Sequence, residues 1–223
     1  MNRTDIEWCD FTWNPIVGCS AVSTGCVNCY AATMAKRFHR HWGRPIFKPE
    51  RLTEPGLVKQ PSKIFICSVS DLFHPGNPFE RIDLVLAQTE VYPQHTYIVL
   101  TKRPGMALEW TLTSELGWKS WPENVWLGVT AETQALADLR LKCLNAIHAP
   151  VKFVSVEPML GPVSIRQAPM RPSWVICGPE TGSKARPCQD EWITALASEC
   201  SVFFDKRKTG WTRREFPKSH EHR

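Results

Sequence analysis

Lys63-Ile-Phe-Ile-Cys-Ser-Val-Ser-Asp71 is a continuous β-branched and aromatic run that ends in small and polar residues. Five later runs repeat the pattern: His95-Thr-Tyr-Ile-Val-Leu-Thr-Lys102, Asn124-Val-Trp-Leu-Gly-Val-Thr130, Val151-Lys-Phe-Val-Ser-Val-Glu157, Ser173-Trp-Val-Ile-Cys-Gly178 and Ser201-Val-Phe-Phe-Asp205. Runs this apolar read as strands covered on both faces, the habit of parallel sheets. Between them, residues 78–92, 133–148 and 190–200 carry apolar side chains at helical spacing, as in Leu136, Leu139, Leu141, Leu144 and Ile147. One more strand is expected in residues 7–13 and a helix in 29–40. Strands alternating with helices imply right-handed crossovers and a parallel sheet. The expected fold class is α/β, a partial (β/α) barrel of about six to seven parallel strands with outer helices. It is expected to form a single domain over residues 1–205, followed by a basic tail at 206–223.

In such sheets functional residues gather at the carboxyl ends of the strands. Here that address holds Ser68 and Asp71, Thr101 and Lys102, Thr130 and Glu132, Glu157, Glu180, and Asp205 with Lys206. A single glutamate after one strand reads as a cap or a surface residue. Polar residues in the same place after successive strands point to a shared cavity.

The chain has 223 residues and a formal net charge of +5, with 43% hydrophobic and 22% charged residues. That length buries a core without disulfides, and the composition excludes a disordered chain. No apolar run approaches the ~20 residues that span a bilayer, and the first residues hold no apolar signal core. A cytoplasmic protein with no membrane partner is therefore expected. The charge is uneven. The tail holds seven Lys/Arg and two Glu; removing these from 27 and 22 leaves 20 of each sign in the first 205 residues. Residues 36–51 form a second basic stretch, six Lys/Arg against Glu50. Both stretches suit a polyanion such as nucleic acid or a phosphorylated metabolite, and both also read as solvated surface. Trp110, Trp118 and Trp121 are candidates for a base-stacking platform or for core packing.

Nine cysteines, an odd number, point to a reducing compartment. Six are scattered, whereas Cys19, Cys26 and Cys29 are bunched as C-x6-C-x2-C. Three thiolates within eleven residues can enclose one metal or cluster. A structural zinc site needs a fourth ligand, for which Cys9, Cys67 and His39 are candidates. The other reading is an iron–sulfur cluster with one iron left open to a small molecule. Asn14-Pro15 and Thr24-Gly25 are turn signals, so the cysteines sit on a loop after the first strand.

Around these cysteines the sequence resembles the phage-encoded radical S-adenosylmethionine-like proteins. The resemblance is carried by Ile6-Glu7-Trp8, Thr12-Trp13-Asn14-Pro15-Ile16-Val17-Gly18-Cys19 and Gly25-Cys26-Val27-Asn28-Cys29-Tyr30-Ala31. It continues through Ser70-Asp71-Leu72-Phe73, Leu100-Thr101-Lys102-Arg103-Pro104, Trp126-Leu127-Gly128-Val129-Thr130 and Ser155-Val156-Glu157-Pro158-Met159-Leu160-Gly161-Pro162, to about Asp205. What it implies is a radical SAM-type barrel in the cytoplasm of a phage's host, with a 4Fe-4S cluster on Cys19, Cys26 and Cys29. It further implies S-adenosyl-L-methionine on the open iron and an electron donor such as flavodoxin or ferredoxin. A 5′-deoxyadenosyl radical would then modify or rearrange a nucleotide or DNA base. Lys102 and Glu157 become candidate catalytic residues, and Ser68, Asp71, Thr130, Glu132 and Glu180 candidates for cofactor binding. The carboxylates also read as ion-paired barrel residues. The alternative is a non-catalytic, zinc-stabilised nucleic-acid-binding module. The sequence departs from the radical S-adenosylmethionine pattern in its six-residue first gap, since C-x3-C-x2-C is usual there. It departs again in Asn28 before the last cysteine, in Gly178-Pro179-Glu180-Thr181-Gly182 where Gly-Gly-Glu-Ser-Gly is common, and in the tail from Asp205.

Overall fold

A computed structural model describes residues 1–118, 121–207 and 213–218. Its main sheet contains eight strands: β1 (Asn2–Arg3), β2 (Phe11–Trp13), β5 (Lys63–Ile66), β6 (Thr96–Thr101), β7 (Val125–Thr130), β8 (Val151–Val156), β9 (Trp174–Cys177) and β10 (Phe203–Asp205). They run in the order β1-β2-β5-β6-β7-β8-β9-β10. Every pairing is parallel except the edge pair of β1 with β2. A separate antiparallel pair joins β3 (Ile16–Val17) to β4 (Ile46–Phe47). The helices are α1 (Tyr30–Arg37), α2 (Phe79–Val91), α3 (Pro104–Thr113), α4 (Gln134–Asn145) and α5 (Asp190–Ser198). The α/β class and the mostly parallel sheet agree with the sequence.

The differences have local causes. The strand expected over 63–71 ends at Ile66, because Cys67 takes a left-handed backbone (φ 61°) and turns the chain out of the sheet. Helix α3 is apolar on most sides, so it carries no helical stripe to read; Pro104 opens it at a position where the missing N–H is harmless. The connection from β8 to β9 contains no helix; Met159, Val163 and Ile165 cover the sheet there instead.

Alternation along each strand divides the core in two. Ile64, Tyr97, Val99, Leu127, Val154, Val175 and Phe203 face the helices within the larger buried cluster. Phe65, Ile98, Trp126, Phe153, Trp174, Ile176 and Phe204 form the second cluster on the opposite face. Trp8 joins the ends of that second face, its ring 4.7 Å from Phe65 on β5 and 6.4 Å from Trp174 on β9. The sheet therefore curls around an aromatic interior. Gly128 permits it: a Cβ there would lie 2.3 Å from the Phe153 ring. Trp110, Trp118 and Trp121 pack together with Phe73 on the helix side, so they are core residues and not an exposed platform.

Residues 208–212 and 219–223 of the basic tail lie outside the described residues. The rest of the tail packs on the body. The Asp205 N–H donates to the Arg213 carbonyl (2.8 Å) and the Glu215 N–H to the Phe203 carbonyl (3.0 Å). Phe216 stacks at 5.5 Å from Trp174 and 5.3 Å from Phe204. Among the described residues no helix is long and apolar enough to cross a membrane.

Candidate functional site

Above the aromatic interior, the same strand faces turn polar towards their carboxyl ends. Continuing the alternation, Leu100 is followed by Lys102, Phe153 by Ser155 and Glu157, and Phe204 by Lys206. These residues line a cavity of about 330 Å³, which the loop between β2 and α1 closes from one side. That volume suits a small molecule. Cys19, Cys26, Cys29, Ser68, Asp71, Lys102, Thr130, Glu157 and Glu180 all line it. Of the strand-end residues expected from the sequence, Thr101, Glu132 and Asp205 are absent from the wall; Thr101 and Asp205 are buried and bond to Asp71 and Arg207 instead.

The cysteine loop is held by side chains from several strand ends. The Asn14 side-chain oxygen accepts hydrogen bonds from the Ser68 hydroxyl and the Val69 N–H, both 3.2 Å. The Ser70 hydroxyl donates to the Gly18 carbonyl at 2.6 Å. Glu132, fully buried, accepts from the Ser23 hydroxyl at 2.6 Å and from Arg140 at 2.9 Å. It thus sits behind the loop as its anchor. On the other side the loop after β9 clasps it. Asn28 donates to Glu180 and to the Lys184 carbonyl, and Arg186 bonds both Glu180 and the Thr24 carbonyl. The Arg186 bonds hold the Glu180 carboxyl at about 2, well below its ordinary value.

Asp71 is buried and accepts four hydrogen bonds, from the Phe73 and Lys102 N–H groups, the Thr101 hydroxyl and the Arg103 guanidinium. Arg103 also donates to the Ser20 carbonyl at 2.8 Å and reaches the Cys19 sulfur at 3.7 Å. Burial raises the Cys19 thiol and the Asp71 charge adds to this, against the pull of Arg103. Burial also works against ionising Cys26. There, backbone hydrogen bonds at Val22 and Ser23 and the charge of Lys102 prevail, and the thiol lies below its ordinary range. Lys102 stands 3.6 Å from Glu132. Glu157 is ion-paired with Lys206, and both belong to the cavity wall.

The three thiols share one wall, yet among the described residues no group of three or more His, Cys, Asp or Glu is arranged to hold a metal ion. In kind the donor set fits a thiolate-bound cluster: soft ligands on one loop, with Arg103 and the backbone supplying hydrogen bonds to sulfur. The fourth-ligand candidates are elsewhere. Cys9 is buried in the aromatic interior, its thiol pushed up to about 12 by burial. Cys67 is buried on the helix side, and His39 is exposed.

Sequence reasoning missed Ser155, Trp8 and Trp42 in the wall. Ser155 was legible, since it shares the face of Phe153 and Glu157 by simple alternation. Trp8 and Trp42 come from outside the strands and carry no such signal.

In fold and site, then, the molecule is an α/β protein whose mostly parallel sheet carries a cysteine-lined cavity at its carboxyl ends. It belongs to the family described as Protein of unknown function (DUF5131), whose model matches residues 3–223. No curated protein and no solved structure matches the chain.

Proposed function

We propose that the protein is a radical SAM enzyme with a partial (β/α) barrel, acting on a nucleotide or DNA base. The observation that carries this reading is that Cys19, Cys26 and Cys29, on the loop after the first parallel strand, all line one cavity at the strand ends. Those three residues would hold a 4Fe-4S cluster, leaving one iron for S-adenosyl-L-methionine. A cluster held there would pass an electron from an external donor such as flavodoxin or ferredoxin to the sulfonium, for cleavage of S-adenosyl-L-methionine to methionine and a 5′-deoxyadenosyl radical.

The chain's own residues provide binding, orientation and dryness. Lys102 offers its Nζ to a carboxylate or phosphate at the wall and lowers the Cys26 thiol through its charge. Glu157 presents a carboxylate that can exchange Lys206 for a ligand ammonium or hydroxyl. Ser68, Thr130 and Ser155 bring hydroxyls to the same space. Trp8, Phe65 and the Tyr30 ring shed water from it. Tyr30 is fixed by its hydroxyl, which donates to the Ser68 carbonyl. Asp71 and Arg103 form a buried pair that sets the Ser20 backbone beside Cys19.

Anaerobically reconstituted protein should absorb broadly near ~400 nm and carry about four irons per chain. It should form 5′-deoxyadenosine from S-adenosyl-L-methionine and dithionite. Cys26→Ala should lose the iron and Cys143→Ala should keep it. Zinc in place of iron in anaerobically purified protein, or equal loss in both variants, would sink the reading and favour a structural zinc module.

A further inference from the structure

The described cations of the two basic stretches differ in their ion pairing, although exposed Lys218 of the tail is in no ion pair among the described residues. In the tail, Lys206, Arg207, Arg213 and Arg214 each have a carboxylate partner. In residues 36–44, Lys36, Arg37, Arg40 and Arg44 are all exposed, and none is in an ion pair among the described residues. This unneutralised set surrounds exposed aromatic surface. Tyr30, Met34 and Phe38 follow one another at a spacing of four along α1 and its end, 49%, 43% and 52% exposed. The guanidinium groups of Arg37 and Arg40 lie 5.6 Å and 5.4 Å from the Phe38 ring centre. A contiguous exposed apolar patch marks an interaction surface, and with cations around it the patch matches a strand that offers both phosphates and bases.

The face runs into the cavity. Tyr30 and Trp42 belong to the cavity wall, and the Gly43 N–H donates to the Cys19 carbonyl at 3.0 Å, which ties this segment to the cysteine loop. Two residues of the cavity wall, Ser155 and Trp8, have a hydroxyl and an indole N–H buried without a hydrogen-bond partner among the described residues. Ser155 is 1% exposed and Trp8 3%. Buried donors without acceptors are rare in folded proteins. A nucleobase edge supplies acceptors that reach such donors, whereas an acidic protein docked on the outer face does not.

We propose that the face formed by Tyr30, Met34, Phe38 and the cations of residues 36–44 docks a single-stranded nucleic acid and leads one nucleotide into the cavity. Docking follows from the surface by itself; the insertion rests on the cavity being the catalytic site. Phosphates pair with Arg37, Arg40 and Arg44, a base stacks on Phe38, and an inserted base meets Ser155.

Fluorescence anisotropy with a labelled single-stranded oligonucleotide, using the full chain without S-adenosylmethionine or reductant, tests this. Arg37→Glu with Arg40→Glu should weaken binding by at least about tenfold and reduce the salt slope by about two. Lys59→Glu with Lys142→Glu makes the same change in net charge at exposed positions elsewhere and should weaken binding by no more than about twofold. Phe38→Ala should lose about tenfold with an unchanged slope. Ser155→Ala should lose about fivefold, as expected for one hydrogen bond. Arg37→Gln with Arg40→Gln, and thermal melts of each variant, separate lost contacts from lost folding. Equal weakening by the two glutamate pairs would overturn the assignment. So would binding of an acidic flavodoxin on this face with no binding of the oligonucleotide. An unchanged Ser155→Ala affinity would overturn the insertion. Because binding is read without turnover, 5′-deoxyadenosine formation can fail while docking stands, and the reverse.

Discussion

Gly25 brings the cysteine loop against Glu132, two residues beyond β7. A Cβ added there would stand 2.3 Å from a carboxylate oxygen of Glu132, which is itself pinned by Ser23 and Arg140. The loop can sit this close because glycine has no side chain, and Cys26 follows directly. Gly25→Ala must push the loop away or displace a buried, paired carboxylate. We expect it to destabilise the protein by about 1–3 kcal/mol in denaturant melts. It should also reduce iron retention after reconstitution, since Cys26 moves with its neighbour. Full stability and full iron in this variant would contradict the anchoring role. Glu132 shows what a sequence leaves open at one residue. Its place after a strand marked it as a cavity residue, and only its three-dimensional partners turn it towards the back of the loop.

At the scale of elements, the strands were the most legible parts. Val125–Thr130 and Val151–Val156 lie inside the stretches read from their apolar runs, because a strand buried on both faces needs apolar residues throughout. The same reasoning fails for α3. Its sequence is apolar on most sides and shows no stripe, although only the side of Pro104, Ala107, Trp110 and Thr111 is buried and Leu112 is exposed, so the sequence leaves its tryptophan open between base stacking and core packing. Trp110 is fully buried, with its indole N–H donating to Asp83 at 2.7 Å. Trp110→Ala should therefore cost about 3–5 kcal/mol in stability. Oligonucleotide affinity of the folded fraction should be unchanged. A loss of affinity at full stability would restore the stacking platform.

Across the whole molecule, the curled sheet has a seam between β10 and the segment before β2, and the described part of the tail lies along it. Arg214 pairs with Glu7 at 3.0 Å, the Lys63 ammonium lies 4.6 Å from the Phe216 ring centre, and the Trp174 indole N–H donates to the Glu215 carbonyl at 2.9 Å. Residues from both ends of the sheet thus meet on one short segment. Phe216→Ala should destabilise the protein by about 2 kcal/mol, less than a fully buried phenylalanine because the ring is only partly covered. The salt dependence of nucleic-acid binding should stay the same. A changed salt slope at unchanged stability would return the tail to the role of an anion-binding arm.

The sequence by itself determined the alternating strands and helices, the parallel sheet and the polar strand ends. Each follows from local periodicity and from the chain direction that short crossovers impose. It also determined that three cysteines stand on one loop. Tertiary structure alone decided which polar residues face the cavity and which anchor it, as Ser155 and Glu132 show. It also decided which positive charges are neutralised. Arg207 and Arg213 pair with their neighbours Asp205 and Glu215, but Lys206 and Arg214 reach Glu157 and Glu7 far away in the chain, so the described part of one basic stretch is bound to the body and the other stays open.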